Sequence, residues 1–216
     1  MRSIPTPRAI TVASLVVVGC GIAYWDHHRR LPSRILASAQ LASSAADPRV
    51  KVQHWQKAKE LAASSSATTA PVHFTLAFGL ASALAEMPDQ HALAEQELCV
   101  AVAQLAEVEN IHELSDVQRA RLAIALDRLA QAHQDRGDLH RALALYLRSL
   151  DAIASPEEIF STKDSALASL RSRGACGIAA GVLNNLGTAL VELEVPSEKA
   201  FETSQRLLNY ANKHPG

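Results

Sequence analysis

The sequence predicts an all-α fold of closely packed antiparallel helix pairs, preceded by one apolar membrane-spanning helix. Three observations point there. Alanine and leucine supply 39 and 28 of the 216 residues while aromatics reach only 4 %, whereas a β-sandwich or barrel wants Val, Ile, Thr and aromatics broken by Gly or Pro every ~8–12 residues. Apolar residues recur at helical spacing, as at Leu122, Leu126 and Leu129 and again at Leu139, Leu143, Tyr146 and Leu150. A long apolar run then lies close to the N-terminus between basic groups. With 21 Lys+Arg against 22 Asp+Glu the net charge is -1, which gives no electrostatic reason to expect nucleic acid binding. Cys20, Cys99 and Cys176 are too scattered for a disulfide framework or a zinc ribbon.

Residues 1–8 form a basic tail carrying Arg2 and Arg8, with no acid before Asp26. The apolar run covers 9–25, and a helix begun at Pro7 would have 19 residues to Trp25, about 28 Å, enough to cross a hydrocarbon core. Tyr24 and Trp25 stand where an interfacial aromatic belt would place them, ahead of His27, His28, Arg29 and Arg30 in the linker 26–34. A cleaved secretory signal and a lipoprotein signal ending Val17-Val18-Gly19-Cys20 share this pattern, although the apolar run continues past Cys20. A mitochondrial presequence shares the basic, acid-poor start but would be amphipathic. Basic residues flank both ends of the span, so orientation stays open.

Residues 35–213 read as one helical domain. A first pair is expected over 35–46 and 50–65, broken by Asp47-Pro48, then a loop over 64–71. The segment Phe78-Gly79 to Ala92 has a counterpart 108 residues later, Leu186-Gly187 to Ala200, with Glu-Met-Pro at 86–88 matched by Glu-Val-Pro at 194–196. Each unit predicts a helix ending near the Glu and a new one opening at Pro88 or Pro196. Gly79, Ala92, Gly187 and Ala200 would let the paired helices approach closely. Between them Gly137 can take a positive φ after a helix and Asp138 can cap the next. Linkers are expected over 107–115 and 155–163, the second opening a long irregular insertion.

The stretch 123–156 is 34 residues long and resembles a tetratricopeptide repeat. Leu126, Leu129 and Ala130 match the large-large-small signature of the first helix, Gly137-Asp138 the turn, Ala142 the small contact and Tyr146 the aromatic position. His133 stands for the usual Tyr and Ser149 for the usual Ala, and Pro156 falls two residues beyond the closing proline site. Weaker repeats lie near 72–105 and 180–213. The resemblance implies a right-handed superhelical array of helix pairs. The whole chain is similar to fungal mitochondrial inner-membrane adaptors of the intermembrane-space AAA protease, through its basic start, single span and Leu31-Pro32-Ser33-Arg34-Ile35-Leu36. Cys176 followed by Val182-Leu183-Asn184-Asn185-Leu186 adds to that likeness. It implies a single-pass inner-membrane protein, its helical domain in the intermembrane space, recruiting unfolded polypeptide clients to the protease in protein quality control. The alternative is a bacterial periplasmic lipoprotein scaffold or a respiratory or envelope assembly factor.

No nucleophile elbow, phosphate loop, His-Glu-x-x-His or Cys-x-x-Cys occurs, so the expectation is no catalysis, no cofactor and no metal. His27-His28 lacks a third ligand nearby, and His133 and His140, flanking the Gly137 turn, read as packing and capping. Arg119, Arg121, Arg128, Arg136, Arg141 and Arg148 read as a solvated basic face, with a groove for an anionic partner as the alternative, and Cys99 and Cys176 as small buried hydrophobes, whose bridging in an oxidising compartment stays open. What remains is a binding surface. Aligned with the repeat, the partner-facing positions are Asp127, Gln131 and Gln134 in the central unit, Asn184, Thr188 and Val191 in the last, and His73 and Leu80 in the earlier one. That face is rich in amides and lacks the Lys/Asn/Lys/Arg set that grips a C-terminal carboxylate in chaperone-binding relatives, which favours an extended or partly unfolded polypeptide.

Overall fold

The computed structural model describes residues 33–64, 68–105, 111–172 and 174–213. The span expected over 9–25, and with it Cys20, lies outside the described residues. Among the described residues there are ten α-helices, one 3-10 turn and no strand. The chain divides into two compact units, Met1–Glu107 and Val108–Gly216.

Unit 1 holds α1 (Ser33–Ser44), α2 (Pro48–Ala63), α3 (Ala70–Leu84) and α4 (His91–Gln104). Asp47 caps α2, its carboxylate accepting from Arg49 N at 2.9 Å, and Pro48 fills the first turn, where no N–H is missed. Each helix packs on the next, α1 on α2, α2 on α3 and α3 on α4. The connections are short, so neighbours run antiparallel. One apolar stripe per helix makes the core: Ile35, Ala39 and Ala42, then Trp55, Ala58 and Ala62, then Val72, Leu76, Leu80 and Ala83, at spacings of three or four. Alanine dominates because it allows close helix approach, and the Trp55 ring fills what the small residues leave. Lys51 Nζ, itself buried, is held by both Glu86 carboxylate oxygens at 2.7 and 2.9 Å, tying α2 to the α3–α4 turn.

Unit 2 opens on the turn Ile111–Glu113 and continues with α5 (Asp116–Asp135), α6 (Leu139–Ile153), α7 (Pro156–Ile159), α8 (Asp164–Ser172), α9 (Ala175–Glu192) and α10 (Glu198–Lys213). A capping box starts α5: Ser115 Oγ accepts from Gln118 N, and Gln118 Oε1 accepts from Ser115 N at 2.9 Å. Gly137, at φ 79, lets the chain reverse, with Asp138 N donating to His133 O at 2.9 Å. Helices α5 and α6 form one pair and α9 and α10 the other, with α9 lying on α6 and more narrowly on α5. The same buried bond recurs in both pairs. Ser149 Oγ donates to Ala123 O and Ser204 Oγ to Ala180 O, each at 2.8 Å.

Several expectations need correction. Neither proline opens a helix: α4 begins at His91 and α10 at Glu198. After α9 the chain turns through Glu194 at φ 57 before reaching Pro196. Gly79 makes room for α2 rather than for its own partner helix, since a Cβ there would stand 2.7 Å from the Trp55 ring. Gly187 does face its partner, with Phe201 at 2.7 Å, whereas Ala92 is exposed. Asp138 makes no cap bond, and its carboxylate lies 3.4 Å from His133 Nδ1 instead. The insertion after α6 is helical, not irregular. Ser155 caps α7 ahead of Pro156, Leu167 and Leu170 of α8 are buried, and Arg206 of α10 donates to Ile159 O at 3.2 Å. Cys99 is exposed, whereas Cys176 is buried.

One described helix, α9, is long and apolar enough to cross a membrane, and half of it is buried in the fold.

Candidate functional site

The site residues expected from sequence divide between the units, and each unit treats them differently. In unit 1, Leu80 is 4 % exposed and belongs to the core with Trp55 and Leu76. It packs and presents nothing, which removes it from the candidate surface; the cause is that α3 is apolar on nearly its whole circumference. His73, half-buried, has its Nε2 2.9 Å from Thr68 Oγ1 and so holds the chain entering α3.

In unit 2, Asp127, Gln131, Gln134, Asn184 and Thr188 come together where α5 and α9 run side by side. The repeat spacing put them there, but not in the role expected of each. Asp127 Oδ1 accepts from Asn185 Nδ2 at 2.9 Å and Oδ2 from Gln131 Nε2 at 2.7 Å. Its carboxylate joins α5 to α9 rather than pointing at a partner. Burial pushes its pKa above the ordinary value, and the bonds from Asn185 and Gln131 and the Arg128 charge offset part of that. Gln134 likewise bridges: its Nε2 donates to Glu192 Oε1 at 2.6 Å and its Oε1 accepts from Tyr146 OH at 2.8 Å. The Tyr146 phenol is held well above its ordinary range by burial first, then by the Asp127, Asp135 and Glu192 charges.

Asn185, Glu192 and Tyr146 therefore belong to this network although the sequence reading named none of them as site residues. Asn185 is the second residue of the Asn184-Asn185 pair. One helical position from Asn184, it is turned 100° toward α5, the signal that could have found it.

The residues that remain open are Asn184, Thr188 and Val191 on α9, with Gln131 on α5 beside them. Val191 is 56 % exposed. Thr188 Oγ1 donates to Asn184 O at 3.1 Å, and the Asn184 side-chain amide makes no bond among the described residues. Gly177 and Gly181 continue the stripe, and space is open where their Cβ atoms would stand. The stripe is uncharged, offers amide donors and acceptors, and allows another backbone to come close. Chemically it can bind a polypeptide through hydrogen bonds and shallow apolar contact. Among the described residues no group of three or more His, Cys, Asp or Glu could hold a metal ion.

The basic population is not uniformly solvated. Arg119 pairs with Asp116 one turn away, and Arg121 is buried at 2 % exposure, so the solvated basic face does not include it.

Comparison with protein-family models, with curated proteins and with solved structures gives no match for this chain.

Proposed function

We propose that the chain is a membrane-tethered helical-repeat adaptor that binds polypeptide through the open side of α5 and α9. The observation that carries this reading is the uncharged stripe Asn184, Thr188 and Val191 beside Gln131. It stays exposed, while the neighbouring polar groups, Asp127, Asn185, Gln134 and Glu192, are engaged in holding the two helices together. A rigid base under an open, uncharged stripe suits an extended segment bound through its backbone. Supporting it, α9 packs on α6 and α5 in the order a tetratricopeptide array uses, first helix of one pair on both helices of the pair before. The apolar run 9–25 would fix this face at a membrane, raising the effective concentration of a client there. The whole-chain resemblance names an AAA protease of the mitochondrial inner membrane as the complex served.

The test is crosslinked affinity purification from intact, then detergent-solubilised, membranes, comparing the wild-type chain with Asn184→Lys/Thr188→Lys. Those two positions are exposed, so the double variant should keep the wild-type melting temperature. Recovery of an AAA protease and unfolded clients, lost in the variant, is the expected result. Recovery of an envelope or respiratory complex without a protease would replace the adaptor reading by a scaffold. Lipid labelling dependent on Cys20 would move the chain to a bacterial envelope.

A further inference from the structure

Charge is segregated within unit 1. Helices α1 and α2 carry Arg34, Arg49, Lys51, Lys57 and Lys59 against two acids, Asp47 at the turn between them and Glu60. From residue 64 to 105 there is no Lys or Arg, and Glu86, Asp89, Glu95 and Glu97 are all acids. The whole chain follows suit: residues 1–59 hold nine Lys and Arg and two acids, residues 60–216 twelve and twenty. Such asymmetry marks a chain that meets an anionic surface with one part only. Lys51 and Lys59 serve the fold, held by Glu86 and Glu97. Arg34 and Lys57 are exposed, and so are two apolar residues, Leu41 at 53 % and Val50 at 36 %. Ser38 Oγ donates to His54 O at 2.8 Å, which sets the level of the antiparallel pair. Arg34 thus comes level with Lys57, and Leu41 with Val50. Arg34 and Leu41, seven residues apart, share one side of α1, and Val50 and Lys57 one side of α2. All four lie within about 60° of the Ser38–His54 contact on the side away from Ile35 and Ala39, so both rows border the outer seam of the pair. Asp47 is engaged as the α2 cap, and Glu60 stands about 60° further from the seam than Lys57.

We propose that the outer seam of α1 and α2 docks on a bilayer leaflet of anionic lipid, Arg34 and Lys57 meeting the headgroups and Leu41 and Val50 entering between them. The apolar run ends at Trp25 and α1 begins at Ser33, eight residues later, which holds the start of α1 within about 28 Å of a bilayer that takes up the run. A negative surface potential attracts the basic pair and repels the acidic α3 and α4, so one attitude of unit 1 is favoured. Exposed apolar side chains beside cations are what an interfacial helix presents to headgroups. The inference rests on the proposed function in one respect, that residues 9–25 enter a membrane, and adds to it how unit 1 lies there.

The test uses the full chain in vesicles of phosphatidylcholine, alone or with about one third phosphatidylglycerol. A fluorescent amino acid replaces Leu41, or else Leu93 of α4, which is 49 % exposed in the acidic half of the unit, and brominated lipids quench whichever enters the bilayer surface. Quenching at 41 should be strong with phosphatidylglycerol, weak without it and reversed by about 0.5 M sodium chloride, while position 93 stays bright throughout. Arg34→Gln/Lys57→Gln changes two exposed side chains, so the fold is kept, and should lower the ratio of docked to undocked chains by about fivefold per charge. Alkaline carbonate extraction from the neutral vesicles reads the tether separately. A chain that is released lacks the span, and quenching at 41 in anionic vesicles then still decides the docking. Equal quenching at 41 and 93, or none at 41 in anionic vesicles, overturns the proposal. So does energy transfer between copies labelled at 41 that ignores lipid charge, which would make the seam an interface between copies of this chain.

Discussion

At the scale of single residues, three glycines on two helices separate packing from conformation. Gly79 faces the buried Trp55 ring, which has no room to retreat, so Gly79→Ala should destabilise by about 1–3 kcal/mol. Gly187→Ala should cost less, because Phe201 is only half-buried and can swing outward. Gly181 meets nothing, and there alanine should add about 0.5–1 kcal/mol through helix propensity alone. Urea denaturation of the three variants checks the order, and a stabilising G79A would refute the packing account. Asp127 gives a pH test. Its folded-state value is raised above the unfolded one of 3.8. The ionised carboxylate therefore costs stability above the folded value, and the cost is relieved as pH falls toward the unfolded value. Asp127→Asn, which has one acceptor oxygen in place of two, should gain on wild type as pH rises from 4 to 7. Denaturation midpoints at the two pH values decide; a variant weakest at pH 7 would contradict the assignment. Residues also mark the limit of sequence reading. Aligning Leu80 with a repeat's open face ignored that α3 is apolar all round, which only the surrounding helices could reveal.

At the scale of elements, α5 depends on its start. The Ser115–Gln118 capping box satisfies N–H groups that no turn precedes, so Ser115→Ala should lower stability by about 1 kcal/mol. Circular dichroism melts should show it, and an unchanged midpoint would mean the cap is idle. The helix pairs were legible because alanine and leucine recur at spacings of three and four and because Asp47-Pro48 and Gly137 are unambiguous punctuation. Helices α7 and α8 were not. Four residues capped by Ser155 carry too little periodicity, and their order comes from contacts with α10, where Arg206 reaches Ile159 O and Lys199 lies 5.0 Å from the Phe160 ring centre. The prolines misled for a related reason. A proline suits a first helical turn, but Pro88 and Pro196 each sit in the turn before the helix instead. Nothing local distinguishes the two cases.

At the scale of the whole molecule, each unit uses one solution: small residues bring helices together, and buried hydroxyls or ion pairs fix the register. The Lys51–Glu86 pair does this in unit 1, so Glu86→Gln should leave a buried ammonium poorly matched and destabilise that unit by about 1–3 kcal/mol. In unit 2 the Asp127–Asn185 and Gln134–Glu192 bridges hold α5 beside α9, and the open stripe depends on them. The candidate face was legible as a place, because repeat spacing brings Gln131 and Asn184 to neighbouring helices. Which of its polar groups are free was not, since that depends on partners 58 residues apart, as with Asp127 and Asn185. The central claim is that this stripe meets polypeptide at a membrane. A photoreactive residue placed at the exposed Thr188, and separately at Leu147, which is also exposed, on α6, tests it most directly when irradiated in intact membranes. Adducts with polypeptides from position 188 and few from 147 are the predicted result; equal labelling from both, or none from 188, would contradict it.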